Sequence, residues 1–154
     1  MLTALRTDRL VLAPVSAEAA RDVVAGRSAL PVAPGWPAPD VVETLRAALD
    51  HGGDLGWLVV LDGVVVGDCG TYGEAGGDTE IRYAIAPAYR RRGLASEVVA
   101  ALTGWALAEP GVHRVVARRV RGDNVASRRT LERCGFTLDE VDDRYVSYVY
   151  GDSK

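Results

Sequence analysis

The sequence predicts a single mixed α/β (α+β) domain, on three observations. Valine-rich β-type runs alternate with amphipathic helical stretches along the chain. Two such runs, residues 57–61 and 64–72, flank Asp62-Gly63, a strong short-range hairpin signal. A helix with Leu94, Val98, Ala101, Leu102 and Trp105 at helical spacing then leads into the β-type run 113–120. With 154 residues, 48% of them hydrophobic, the chain can bury the core that one such domain needs. No repeat or interdomain linker interrupts it, so residues 1–154 read as one domain.

The elements follow in order. Residues 9–15 form a β-type run that reaches Pro14, and Ser16 caps a helix whose apolar face is Ala20, Val23 and Val24, extending to about Arg27. Residues 30–39 hold four prolines, Gly35 and Trp36 and must be a loop. Residues 40–50 are helical again, with Val42, Leu45 and Leu49 inward and His51-Gly52-Gly53 as the stop. Gly67 and Gly70 mark a bulge or bend in the run 64–72. After the turn 73–77, residues 80–86 form a strand that Pro87 ends, and Glu109-Pro110-Gly111 closes the helix that begins at Leu94. In 113–120, Val115 and Ala117 lie on one face and Arg114, Val116 and Arg118 on the other. A short helix at 124–133 ends near Gly135, and runs 136–141 and 144–150 form a last hairpin across Asp142-Asp143. The order is β-α-α-β-β-β-α-β-α-β-β.

Composition excludes several classes of function. Cys69 and Cys134 stand alone, without CxxC spacing, which suits a reducing cytoplasm and argues against zinc. His51 and His113 are too few for a multi-histidine metal site, so no metal is expected. No apolar run is long enough for a signal peptide or a membrane span. Neither GxGxxG after a strand, GxxxxGK[ST], GxSxG nor HExxH occurs.

Charge is informative in its distribution. The net charge is −3, yet residues 82–133 hold eleven arginines against four acids. Three of those arginines, Arg90, Arg91 and Arg92, precede Gly93-Leu94-Ala95-Ser96 at a helix start. A helix N-terminus carries about +0.5 of an elementary charge, so cations collect there only if an anion lies between. Free N–H groups at such an end bind anions, and Gly93 lets a ligand approach the backbone. A phosphate-bearing ligand at 90–96 follows; a solvated basic loop is the alternative.

The segment Arg90-x-x-Gly93-x-Ala95, joined to Asn124-x-x-Ser127 and Gly135-Phe136, resembles the motifs of the GNAT superfamily of N-acetyltransferases. The opening residues 5–12 resemble the first strand of the branch containing ribosomal-protein N-terminal acetyltransferases. The resemblance covers essentially the whole chain. It implies the GNAT fold, a single mixed central sheet with helices on both faces, and acetyl-CoA as acetyl donor. It further implies that the strand ending near Ile85 splays from its neighbour at about Ala117, with the pantetheine arm in the gap. The N–H groups of Arg91, Arg92, Gly93, Leu94, Ala95 and Ser96 would hold the pyrophosphate, with Arg90 and its neighbours adding charge.

Acetyl transfer to an amine needs a donor for the thioester oxygen, a base for the ammonium, and a proton for the leaving thiolate. The resemblance implies a backbone N–H near Ala84–Ile85 as the oxygen's donor. Glu80, on the same strand, is the candidate base; a solvated or ion-paired carboxylate is its plainer role. Many relatives protonate the thiolate with a tyrosine four residues before Gly-Phe. Leu131 stands there, so Ser127 is the substitute, or else it only bonds pantetheine or helix backbone. Asn124 contacts the ligand, orients the turn from strand to helix, or simply caps the helix. Cys134 reads as a small apolar residue. Trp36 and Tyr72 are the candidates to face the acceptor, with packing as the alternative for both.

The acceptor is expected to be a primary amine, either a protein N-terminal α-amine or a small molecule, and the chain a monomer or homodimer. Without the tyrosine, a non-catalytic acyl-CoA sensor remains a second reading. RNA binding through the arginine block is a third, without any supporting RNP-type aromatic pattern.

Overall fold

The computed structural model describes residues 2–74 and 76–151. Eight strands and four α-helices follow in the order β1 (Leu5–Arg6), β2 (Leu10–Pro14), α1 (Ala17–Val24), α2 (Pro39–His51), β3 (Trp57–Leu61), β4 (Val64–Gly73), β5 (Asp78–Ile85), α3 (Leu94–Leu107), β6 (Arg114–Arg121), α4 (Val125–Arg133), β7 (Thr137–Val141) and β8 (Tyr145–Gly151). The strands form one mixed sheet in the order β1-β2-β3-β4-β5-β6-β8-β7. Ala75, in the expected turn 73–77, lies outside the described residues. The chain divides into two compact units, one of residues up to Gly70 with Tyr83–Val98, the other of Thr71–Arg82 with residues from Val99 on.

In the first unit the opening segment is a hairpin rather than one strand. Leu5 and Arg6 pair back onto Leu12 and Val11, with Thr7-Asp8-Arg9 at the turn. Alternation in β2 buries Leu10 and Leu12, and β3 buries Trp57 and Val59. Asp62 (φ 50°) and Gly63 (φ 79°) both take the left-handed backbone that a tight β3–β4 turn demands. The Ser16 hydroxyl accepts from the Ala19 amide and so caps α1, which ends at Val24, before the expected Arg27. Pro39 opens α2, and Gly52, at φ 76°, closes it. Its buried residues are Val41 and Leu45, so the inward face is turned by one position from the expected Val42 and Leu49. The bend foreseen at Gly67 is real: the β3–β4 register shifts beside it, and a Cβ there would clash with the Ala84 carbonyl.

The second unit is built on β6. It runs parallel to β5 over Asp78–Arg114, Thr79–Val115 and Glu80–Val116, and antiparallel to β8. Val115, Val116 and Ala117 are all buried, so both faces of β6 are covered there. In α3, whose residues through Val98 belong to the first unit, the buried apolar residues are Leu94, Val98, Val99, Leu102 and Ala106, while Ala101 and Trp105 are half-buried. Hydrophobic spacing alone left that one-position rotation open.

The Gly135-Phe136 pair has a local cause. The Gly135 amide donates to the Glu132 carbonyl (3.1 Å) and the Phe136 amide to Leu131 (3.0 Å), a Schellman end for α4. It requires a left-handed residue, and Gly135 has φ 89°. Phe136 then packs on Tyr150, with ring centroids 5.4 Å apart.

Candidate active site

The loop from β5 to α3 is built from its own backbone. Residues Pro87–Tyr89 make one 3₁₀ turn, and α3 starts at Leu94. Between them Arg91 (φ 64°) and Gly93 (φ 77°) adopt left-handed backbone on either side of Arg92. Such reversals form a concavity that favours anions, here joined to the N-terminus of α3.

The three arginines are not equivalent. Arg90 donates through Nε to the Ile85 carbonyl at 2.8 Å. Arg92 donates to the Ala88 carbonyl at 3.2 Å, and its guanidinium lies 4.9 Å from the Tyr89 ring centroid. Arg91 has no hydrogen bond or ion pair among the described residues and is exposed.

A second contributor to this loop, missed in the sequence, is Arg9 from the β1–β2 turn. Glu97, in the first turns of α3, accepts the Thr7 hydroxyl (2.6 Å), the Arg9 amide (3.2 Å) and Arg9 Nε. An Nη of Arg9 lies 3.3 Å from where a Cβ on Gly93 would stand. Burial raises the Glu97 pKa, but the hydrogen bonds from Thr7 and Arg9 outweigh it and hold the carboxyl below its usual range. Two residues separated by 88 positions leave no signal in local periodicity.

Trp36 and Asp68 meet in the same unit. The indole N–H donates to Asp68 Oδ1 at 2.9 Å, and Trp36 is only 6% exposed. Its ring borders a groove of about 360 Å³ with Val23, Leu30 and Pro37. With the N–H committed, Trp36 offers a ligand ring surface alone.

In the second unit Glu80 is half-buried and paired with Val116, where the β5–β6 ladder ends. Burial pushes its pKa up, the Glu74 carboxylate pushes it further, and Arg118 and Arg119 pull back. Nearby charges are tied together: Arg114 forks onto Asp78 (2.9 and 2.7 Å), and Arg118 onto Glu74 (3.2 and 2.9 Å). Glu80 is thus a carboxyl with a raised pKa, although the paired Arg118 and the unpaired Arg119 oppose the rise, and a raised carboxyl suits proton uptake. Tyr72 is half-exposed, with the Arg82 guanidinium 5.9 Å from its ring centroid.

Asn124 is the N-cap of α4, its Oδ1 accepting from the Ser127 amide at 3.1 Å. Leu131 is fully buried. The Tyr148 hydroxyl donates to Glu132 (2.7 Å) and accepts from Arg128 Nε (3.0 Å). Cys69 and Cys134 are not joined in a disulfide. Among the described residues no group of three His, Cys, Asp or Glu could hold a metal ion, and no helix is long and apolar enough to cross a membrane.

A mixed eight-stranded sheet with a glycine-broken, arginine-rich turn into its central helix defines the class of acyl-transferring GNAT folds. Residues 9–137 match the acetyltransferase (GNAT) domain family, and the chain belongs to that family. It is 31% identical over 126 residues to the uncharacterized N-acetyltransferase YjdG of Bacillus subtilis, covering 75% of this chain and 74% of the relative. A GNAT-family acetyltransferase from Bacillus anthracis superposes with a TM-score of 0.73 at 18% identity, over 97% of this chain and 98% of its own. RimJ of Mycobacterium smegmatis, solved with CoA-disulfide, superposes with a TM-score of 0.63 at 23% identity, over 92% and 81%. The chain is an acetyltransferase of the N-acetyltransferase type, and its family uses acetyl-CoA.

Proposed function

We propose that residues 1–154 act as one N-acetyltransferase domain that moves acetyl from acetyl-CoA to a primary amine by direct attack in a ternary complex. The observation that carries this reading is the left-handed backbone of Arg91 and Gly93 in the loop before α3, a geometry that suits an anion at the helix start. Arg90, Arg91 and Arg92 add positive charge that the helix dipole alone would repel. The backbone of residues 91–96 takes the pyrophosphate, and Asn124 steadies the start of α4 beside the cofactor arm.

The donor supplies a thioester, whose carbonyl carbon takes the amine nitrogen while its C–S bond breaks. A backbone N–H at Ala84–Ile85 donates to the carbonyl oxygen as it gains charge. Glu80 takes the ammonium proton, directly or through water; an α-amine loses it at about pH 8 and lysine at about 10.4. Ser127 hydrogen-bonds the sulfur or the pantetheine arm. Trp36 and Tyr72 provide aromatic surface for the acceptor, a protein N-terminal α-amine or a small-molecule amine. Two cysteines without a disulfide fit a reducing, cytoplasmic setting.

The missing tyrosine favours one competing reading, a sensor that binds acyl-CoA without turnover. Thiol release from acetyl-CoA across a panel of amines and peptides separates the two. Amine-dependent release supports transfer; CoA binding with no release on any acceptor supports the sensor. Gly93→Val should abolish CoA binding, because a β-branched residue resists φ 77° and fills the anion's approach. Unchanged affinity in that variant would remove the loop as the phosphate site.

A further inference from the structure

β6 carries a feature that the transfer chemistry above does not use. Its register against β8 slips between Ala117 and Val120, so Arg118 and Arg119 occupy a bulge. Arg119 has φ 55°, uncommon for a residue with a side chain. Bulges re-aim side chains, and here the two arginines part. Arg118 turns onto Glu74 and Asp78 and is neutralised there. Arg119 is exposed and has neither hydrogen bond nor ion pair among the described residues.

Arg119 borders an open groove of about 450 Å³, with Arg118, Glu140, Asp142, Tyr145 and Ser147. Several of these groups are already occupied. Asp142 Oδ1 accepts the amides of Arg144 and Tyr145, at 2.8 and 2.7 Å. Ser147 Oγ accepts the Glu140 amide at 3.1 Å. What the groove still offers is the Arg119 guanidinium, the Glu140 carboxylate and the Tyr145 side chain.

Strand register sets this groove beside Glu80. Glu80 lies opposite Val116, and Val116 opposite Val149. Alternation then puts Glu80, Val116, Arg118, Val149 and Ser147 on one face of the sheet. Tyr148 points to the other face, where it bonds Arg128 and Glu132 of α4. From Val116 to Arg118 is two residues, roughly 7 Å along a strand. The charges of Arg118 and Arg119 both act on the Glu80 carboxyl, consistent with this proximity.

We propose that this groove is the acceptor subsite and that it selects a primary amine that also carries an anionic group, a carboxylate or a phosphate, held by Arg119. This inference rests on the acetyl-transfer reading above and narrows its acceptor. An unpaired guanidinium binds such anions through a planar fork of donors and repels a polycation. Glu80 and Glu140 draw the ammonium end, so the groove's two free signs match an acceptor bearing both.

The test compares matched acceptors: a free α-amino acid against its carboxamide, and phosphoethanolamine against ethanolamine. Each is assayed with wild type, Arg119→Gln and Arg119→Gly, the glycine accepting the left-handed backbone if glutamine impairs folding. We expect wild type to favour the anionic member of at least one pair. Either variant should lower that kcat/KM ratio about tenfold, the size of one lost charge-assisted contact, without changing KM for acetyl-CoA. The favoured pair tells carboxylate from phosphate. Ratios that do not change on substitution, or a wild-type preference for uncharged or polycationic amines, overturn the proposal while leaving acetyl transfer intact. Acetyl-CoA binding without turnover of any amine would overturn both.

Discussion

Glu80 shows how one residue's surroundings shift its protonation in a way that its identity does not reveal. Burial and the Glu74 carboxylate raise its pKa, and Arg118 is too engaged with Glu74 and Asp78 to cancel them fully. Glu80→Gln should lower kcat/KM about 100-fold at pH 7, the lower range for loss of a general base, and by less at a pH above that of the amine. A variant whose pH–rate profile matches wild type would remove Glu80 as the base. Stability should move the other way. A carboxyl with a raised folded-state pKa favours folding below its unfolded value and loses that contribution as pH rises through the folded value. Glu80→Gln should therefore unfold at a higher temperature than wild type at pH 8, with the gain absent at pH 4; thermal melts at the two pH values check this.

At the scale of elements, the loop before α3, which we propose binds the phosphates, is held by a strand turn far from it in sequence. Glu97 fastens the β1–β2 turn to α3 through Thr7 and Arg9, and Arg9 reaches over Gly93. Arg9→Ala and Glu97→Ala should each raise KM for acetyl-CoA about tenfold with little change in kcat, as loss of hydrogen bonds to a charged group implies. The double variant should be no worse than either single one, because each removes the same latch. Additive losses would show that the two residues act separately. S-acetylpantetheine, which lacks the phosphates, should be used equally by all four proteins.

At the scale of the whole molecule, the parallel β5–β6 ladder opens with paired charges. The Arg114 guanidinium holds the Asp78 carboxyl below its usual range, with burial opposing and the Arg114 and Arg118 charges assisting. A lowered carboxylate pKa contributes stability above the unfolded value and loses it as pH falls through the folded one. The melting temperature should therefore drop below about pH 4, and Asp78→Asn should be less stable than wild type at pH 7 with a shallower acid loss. Parallel acid curves for the two proteins would show that the pair does not contribute to that loss.

Much of this architecture was legible in the chain. Ser16, Asp62-Gly63, Pro87 and Gly135 act within a few residues of themselves, so capping and turn chemistry locate the elements without tertiary information. The left-handed Gly93 turn before α3 was legible for the same reason: a helix start and the glycine before it are local. Other features depended on distant partners. The inward face of α2 turned on packing, which moves an apolar stripe by one position without changing its period. Arg9 with Glu97, Trp36 with Asp68, and Arg118 with Glu74 are brought together only when strands pair and α3 is laid down. The same holds for the bulge that separates Arg118 from Arg119, since register exists only between two strands. By itself the sequence determined the elements and the family, both set by short-range chemistry. Which side chains are neutralised, which carboxyl is raised and which guanidinium stays unpaired was decided by the tertiary structure, because burial and charge pairing are properties of neighbours in space.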